Sequence, residues 1–155
     1  MSMFLHLWQF ISICLVALVT GVFFGPWLGL SRSIETFPPE VFLAIGHRMI
    51  ANLAPIMPIL MPAAMLSMVP VLFLSYPTQP ATFYLTLAGL VMYVVALVIT
   101  LAVEVPIDNR IRAWTISALP PDWHQLRDRW ASFHVVRTWA SIVGLALLVA
   151  AAVFR

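Results

Sequence analysis

Arg127, Trp130, His134, Arg137 and Ser141 are spaced three, four, three and four residues apart, the rhythm of one helix face. Four of the five are polar, although the segment they open runs on as apolar sequence. With Glu104 they supply a carboxylate, an imidazole and guanidinium groups. Those groups can take a proton and hold an anion such as a phenolate or enolate. Nine of the fourteen formally charged side chains fall in this part of the chain: Glu104, Asp108, Arg110, Arg112, Asp122, Arg127, Asp128, Arg129 and Arg137. A sequence that gathers its charges in one place has a solvated loop there, a polar site at a membrane surface, or both.

The elements that must position these groups are membrane spans. Hydrophobic residues make up 63% of the 155 residues and charged residues 9%, against roughly 25% charge in soluble domains. This composition predicts a multi-pass integral membrane protein, most simply of a bacterial inner membrane, with the lipid bilayer as its first partner. A net charge of +2 with no basic stripe excludes nucleic acid as a partner. The lone Cys14 excludes an intramolecular disulfide, a C-x-x-C redox pair and a thiolate-rich metal site, and no metal-ligand set is expected elsewhere. The N-terminus has no basic residue before its apolar run and no small-x-small cleavage pattern after it, so it reads as a retained span.

Apolar runs long enough to cross a core of about 30 Å fall at about 4–24, 49–74 (helical from about 41), 82–103 and 137–154. Residues 105–136 form a cytoplasmic interfacial segment. The expected fold is all-α: one domain, residues 1–155, a membrane four-helix up-and-down bundle with a short interfacial helix between helices 3 and 4. Gly21, Gly25 and Gly29 allow close helix approach, either within the bundle or in a homo-oligomer. Pro55, Pro58, Pro62 and Pro70 leave the carbonyls four residues earlier without helical partners, and residues 47, 51, 55, 58 and 62 share a face that His47 heads. Met57, Met61, Met65 and Met68 form a second face, suited to core packing or to the wall of a pocket for flat aromatic molecules.

Tyr93, Leu97, Thr100 and Glu104 share a face of the third span, which Pro106 bends or ends. Ile107, Ile111, Trp114 and Ala118 align on the helix that follows, with Asp108 and Arg112 on another side. Asp122 and Gln125 have the form of a capping box at the start of the fourth helix. Arg32, Arg48, Arg110, Arg112, Arg127, Arg129 and Arg137 flank one side of the membrane and only Arg155 the other. The positive-inside rule therefore puts both termini on the non-cytoplasmic side.

In such a bundle, His47, Arg48, Asn52, Glu104, Asn109, His134 and Arg137 arrive at one level. They form either an anchoring seam of ion pairs or a pocket roofed by the interfacial helix. In the pocket reading His134, Glu104 and Arg137 are the catalytic candidates. His47, Arg48, Asn52, Asp108, Asn109, Arg127 and Trp130 are the substrate-binding ones. No cofactor is expected; haem held between His47 and His134 is the lesser alternative.

Glu104-Val-Pro-Ile-Asp-Asn-Arg110, followed by Trp123, Arg127, Trp130 and His134-x-x-Arg137-Thr138, resembles the family of small membrane proteins that includes the fungal anthrone oxygenases. The resemblance covers the four-span layout, with Asp108 and then Asn109 where the family pattern usually has asparagine. It implies a cofactor-independent monooxygenase that oxidises a lipophilic (poly)phenolic substrate with O2. A base such as His134 or Glu104 would abstract the proton and Arg137 would stabilise the oxyanion. The alternative is a non-catalytic bundle, an accessory subunit or a binder of a small molecule, haem or quinone.

Overall fold

The computed structural model describes residues 2–154, and every regular element among them is helical. α1 (Ser2–Pro26) meets no breaker until Pro26, after which the chain makes a π turn, Trp27–Ser31. α2 (Pro39–Leu53) begins on a proline at its first position, where the missing N–H costs nothing. α2 stops where Pro55 supplies no donor: the chain turns over 54–56, with Ile56 N–H donating to the Leu53 carbonyl (3.1 Å). α3 (Met57–Ser75) accommodates Pro62 and Pro70 within the helix. The expected second span is therefore two helices with a joint between them.

α4 (Pro80–Ile99) passes through a π turn at Thr100–Glu104 into α5 (Val105–Ala113). Pro106 does not end this helix. The widened turn just before it takes up the register that the missing donor disturbs. α5 is the short helix expected between the third and fourth spans. α6 (Trp123–Val153) runs for 31 residues, about 47 Å at 1.5 Å per residue. Its Asp122 makes no side-chain capping bond; the turn closes through the Asp122 carbonyl, which accepts from Gln125 N–H at 3.0 Å.

Among the described residues, four helical stretches are long and apolar enough to cross a membrane: Met3–Ser31, Met57–Ser75, Pro80–Ala113 and Trp123–Val153. α1 packs on α3 and α6, and α4 packs on α3 and α6, which closes a four-helix ring. Phe10, Leu66 and Phe73 are exposed on its outside, as a lipid-facing surface requires. The chain is a multi-pass membrane protein. α4 and α6 pack tightly at Gly89 and Gly144, where a Cβ on Gly144 would lie 2.8 Å from the Tyr93 ring. Tyr93 is fully buried there, its hydroxyl donating to the Val16 carbonyl (2.9 Å) and sharing a 2.6 Å hydrogen bond with Thr20.

Gly21, Gly25 and Gly29 behave differently from the within-bundle expectation: no atom of another element comes within 4 Å of where their Cβ atoms would be. That face is open. Met65 and Met68 pack in the bundle core, whereas Met57 and Met61 also line a cavity.

A second, smaller core caps one end of the bundle. Phe42, Leu43 and Ile50 of α2 meet Ile107 and Ile111 of α5, with Trp114 and Trp123 beside them. α2 and α5 touch where Gly46 faces the Ile111 side chain, and His47 Nε2 lies 2.8 Å from the Ile111 carbonyl. The seven arginines of the expected cytoplasmic side belong to this end; Arg155 lies outside the described residues.

Candidate functional site

Between the ring of spans and the α2–α5 cap lies a cavity of about 630 Å³, within the size range of small-molecule sites. Five segments contribute to it: Val22, Phe23 and Pro26 from α1; Met49, Ile50, Leu53 and Ala54 around the end of α2; Met57, Pro58, Met61 and Pro62 from α3; Leu97, Thr100, Leu101, Val105, Asp108, Asn109 and Arg112 along the α4–α5 helix; and Trp130, His134 and Arg137 from α6. Most of the wall is apolar. Its polar groups are Thr100, Asp108, Asn109, Arg112, His134 and Arg137, with the Trp130 indole among them.

Arg137 organises the inner end. Its Nε and Nη2 both donate to His134 Nδ1, at 3.1 and 2.9 Å. Nη2 also lies 3.1 Å from Glu104 Oε2. Nη1 donates to Thr100 Oγ1 at 3.3 Å, and that hydroxyl donates to the Ala96 carbonyl at 2.8 Å. The Phe23 ring faces the guanidinium 4.5 Å from its centroid. A guanidinium has five N–H groups; the hydrogen bonds to His134 and Thr100 engage three, while the Glu104 contact is an ion pair in which neither carboxylate oxygen has a hydrogen-bond partner.

His134 is almost fully buried. Because Nδ1 accepts from arginine, which can only donate, the ring proton is on Nε2, which donates to the Phe23 carbonyl at 3.0 Å. That carbonyl stands in the last turn of α1, just before Pro26 and the π turn. Thr138 Oγ1 lies 3.5 Å from the same oxygen. The imidazole also stacks on Trp130, with ring centroids 4.8 Å apart and planes 6° from parallel. Both nitrogens of His134 are therefore engaged, one by Arg137 and one by the α1 backbone.

Glu104 is fully buried beneath the guanidinium and forms no part of the cavity wall. Asp108, one helical turn further on, does form part of it, so Asp108 is the carboxylate that the cavity presents. The Trp130 indole N–H lies against both carboxylates, yet it closes no well-formed hydrogen bond among the described residues. A buried donor left in that state can accept a ligand oxygen as partner.

Of the ten candidate site residues, the structure gathers six here: Glu104, Asp108, Asn109, Trp130, His134 and Arg137. His47 is turned to the α5 backbone and ties the cap together. Arg48 and Asn52 are exposed and line no part of the cavity. Arg127 is buried elsewhere, paired with Asp128 (2.7 Å), stacked over Trp123, and reaching the Glu35 carbonyl. The proline-bent face also differs from expectation. The joint at 54–56 rotates α3 relative to α2, so Pro58 and Pro62 line the cavity while His47, Ala51 and Pro55 do not. The haem alternative needs two facing histidines, and His47 and His134 are each bound to a different backbone carbonyl.

Two participants were missed. Phe23 contributes a ring face and a carbonyl, and nothing in its place in the sequence marks either. Thr100 shares the Glu104 face by spacing, and its hydroxyl is a hydrogen-bond acceptor for Arg137.

No curated protein and no solved structure matches the chain. The sequence model of the anthrone oxygenase family matches residues 47–147, which takes in every polar residue of the cavity and leaves out α1. With more than half of its length matched, including Glu104, Asp108, Trp130, His134 and Arg137, this chain belongs to the anthrone oxygenase family.

Proposed function

We propose that the chain oxidises a lipophilic, phenolic aromatic substrate with an acidic methylene, using molecular oxygen. One observation carries the reading: an apolar cavity of about 630 Å³ presents a positioned guanidinium, Arg137, and a separate carboxylate, Asp108, to its contents. The substrate's ring oxygen meets an N–H of Arg137 that His134 and Thr100 leave unused. Asp108 takes a methylene proton, and the electron pair left on carbon delocalises onto that oxygen as an enolate, which Arg137 stabilises. The electron-rich carbon then reduces oxygen and forms a C–O bond, giving a hydroperoxide once a proton returns. Loss of the second methylene hydrogen as a proton, with cleavage of the O–O bond, leaves a carbonyl and releases water. The methylene carbon gives up four electrons; one oxygen atom enters the product and the other leaves as water.

Asp108 replaces the two bases suggested by spacing, because His134 has no free nitrogen and Glu104 does not reach the cavity. These two are positioning residues for Arg137. The orientation that fits the arginine distribution puts the capped end in the cytoplasm and both termini on the other side.

The test is oxygen uptake by the purified chain with anthrone, followed with quinone absorbance. Expected is one O2 consumed per quinone formed, with one labelled atom in the product from ¹⁸O2. A rate equal to autoxidation in detergent alone would overturn the proposal in favour of a non-catalytic binder.

A further inference from the structure

The cavity's rims are exposed on the side of the molecule. Along the α4–α5 helix, Leu101, Val105, Asn109 and Arg112 line the cavity and are exposed. Their spacing of four, four and three makes one continuous edge. Opposite them, Ala54, Pro58 and Pro62 line the cavity and are also exposed. Between the two edges is a slit, and its cause is visible in the backbone. The joint at 54–56 and the prolines of α3 form one edge, and the π turn at 100–104 interrupts the other, so the regular packing of two straight helices is lost there.

Next to the slit lie Ile56 and Ile59 on one side and Val98 and Leu101 on the other, more than half exposed in every case. Four large apolar side chains so exposed belong in hydrocarbon rather than water. At the other end of the cavity α2 and α5 are fastened together through Gly46, His47 and Ile111, with the cap core above them. Along its length the rim changes from Pro62, Pro58 and Leu101 to Asn109 and Arg112, from apolar to polar.

We infer that the cavity is loaded sideways from the bilayer, through the slit between Ala54–Pro62 and Leu101–Arg112, with a membrane-dissolved lipophile whose hydroxylated or anionic end faces Asn109 and Arg112. The inference deepens the proposed reaction by naming the phase and the shape of its substrate, and it rests on that reading only for the identity of the occupant. A lipophile that never leaves the membrane avoids the cost of hydrating its aromatic surface. Asn109 and Arg112 sit where the slit approaches the headgroups, and there they select for a polar end.

The experiment uses the full chain in liposomes with a bilayer-dissolved alkyl benzophenone, which on illumination inserts with preference into methionine side chains. Adducts are located by mass spectrometry. Met57 and Met61, inside the cavity, are expected to be labelled, and Met3, which is 74% exposed, serves as an internal standard for lipid contact. Narrowing either rim, with Leu101→Trp or Ala54→Trp, is expected to lower Met57 and Met61 labelling by about tenfold without changing Met3. Val98→Trp, beside the slit on the lipid face, is expected to change neither. Wild-type labelling confined to Met3, or cavity labelling indifferent to both rim variants, would overturn the inference. The readout needs no turnover: a labelled cavity without anthrone oxidation removes the proposed reaction and keeps the portal, and oxidation with rim-insensitive labelling does the reverse.

Discussion

Arg137 donates two hydrogen bonds to a single nitrogen of His134, from Nε at 3.1 Å and Nη2 at 2.9 Å. The contact fixes the imidazole tautomer, turns the ring's remaining N–H to the Phe23 carbonyl, and aims the guanidinium across the cavity. It is a local i, i+3 pair on α6, but its consequence is long-range. Through it the broken end of α1, the π turn after α4 and the start of the membrane-spanning part of α6 are joined at one guanidinium.

A lysine cannot reproduce that junction, since it has three donors on one atom and no planar fork. Arg137→Lys is therefore expected to lower turnover about 10²-fold or more, as loss of one oxyanion donor does elsewhere. Arg137→Gln leaves the buried Glu104 carboxylate without a countercharge and is expected to cost about 3–5 kcal/mol of stability. Adding Glu104→Gln should restore most of it, because the stranded charge is then gone. Thermal melts in detergent measure both steps; Arg137→Gln melting with the wild type would show that the Glu104 pairing is not structural.

Asp108 and His134 are separable by kinetics. Asp108→Asn keeps the shape of the side chain and removes the proton acceptor, so kcat is expected to fall by about 10² to 10⁴ with KM little changed. His134→Ala frees Arg137 from its orientation and is expected to raise KM as well as lower kcat. With a methylene-deuterated substrate, the isotope effect should persist in the histidine variant. Full turnover in Asp108→Asn would remove that residue from the role of base.

Much of this site was legible because helix periodicity survives wherever the helix does. α6 is unbroken, and the stripe Arg127, Trp130, His134, Arg137, Ser141 read from spacing is the stripe that faces inward, with Arg127 one turn too far along to reach the cavity. α2 and α3 are not one helix, and counting by threes and fours across Pro55 carried His47 to the wrong side. Thr100 and Glu104, placed on one face by spacing, both reach Arg137, but the Glu104 carboxylate lies under the guanidinium and the cavity wall takes Asp108 one turn on. Backbone participants such as the Phe23 carbonyl have no side-chain signature at all.

Glycine substitutions divide by geometry. Gly144→Ala puts a Cβ 2.8 Å from the ring of Tyr93, which cannot move without releasing Val16 and Thr20. The expected cost is about 1–3 kcal/mol. Gly25→Ala enters open space and is expected to change stability by no more than about 0.5 kcal/mol. Denaturation of the two variants side by side checks this, and equal melting points would mean that the α4–α6 crossing relaxes freely.

Orientation follows from where the arginines end up in three dimensions. Arg32, Arg48, Arg110, Arg112 and Arg129 are exposed at the capped end, while the turn at 76–79 at the opposite end has no charged residue. Basic residues in short flanking segments resist translocation, so the capped end is expected to stay in the cytoplasm. In a Cys14→Ser background, Thr78→Cys should react with a membrane-impermeant maleimide on intact cells, and Ser117→Cys only after lysis. Both positions are exposed, so failure to react reports sidedness rather than burial. The reverse pattern would put the cap outside, and the arginines would then have to be held there by folding of the α2–α5 core before insertion is complete.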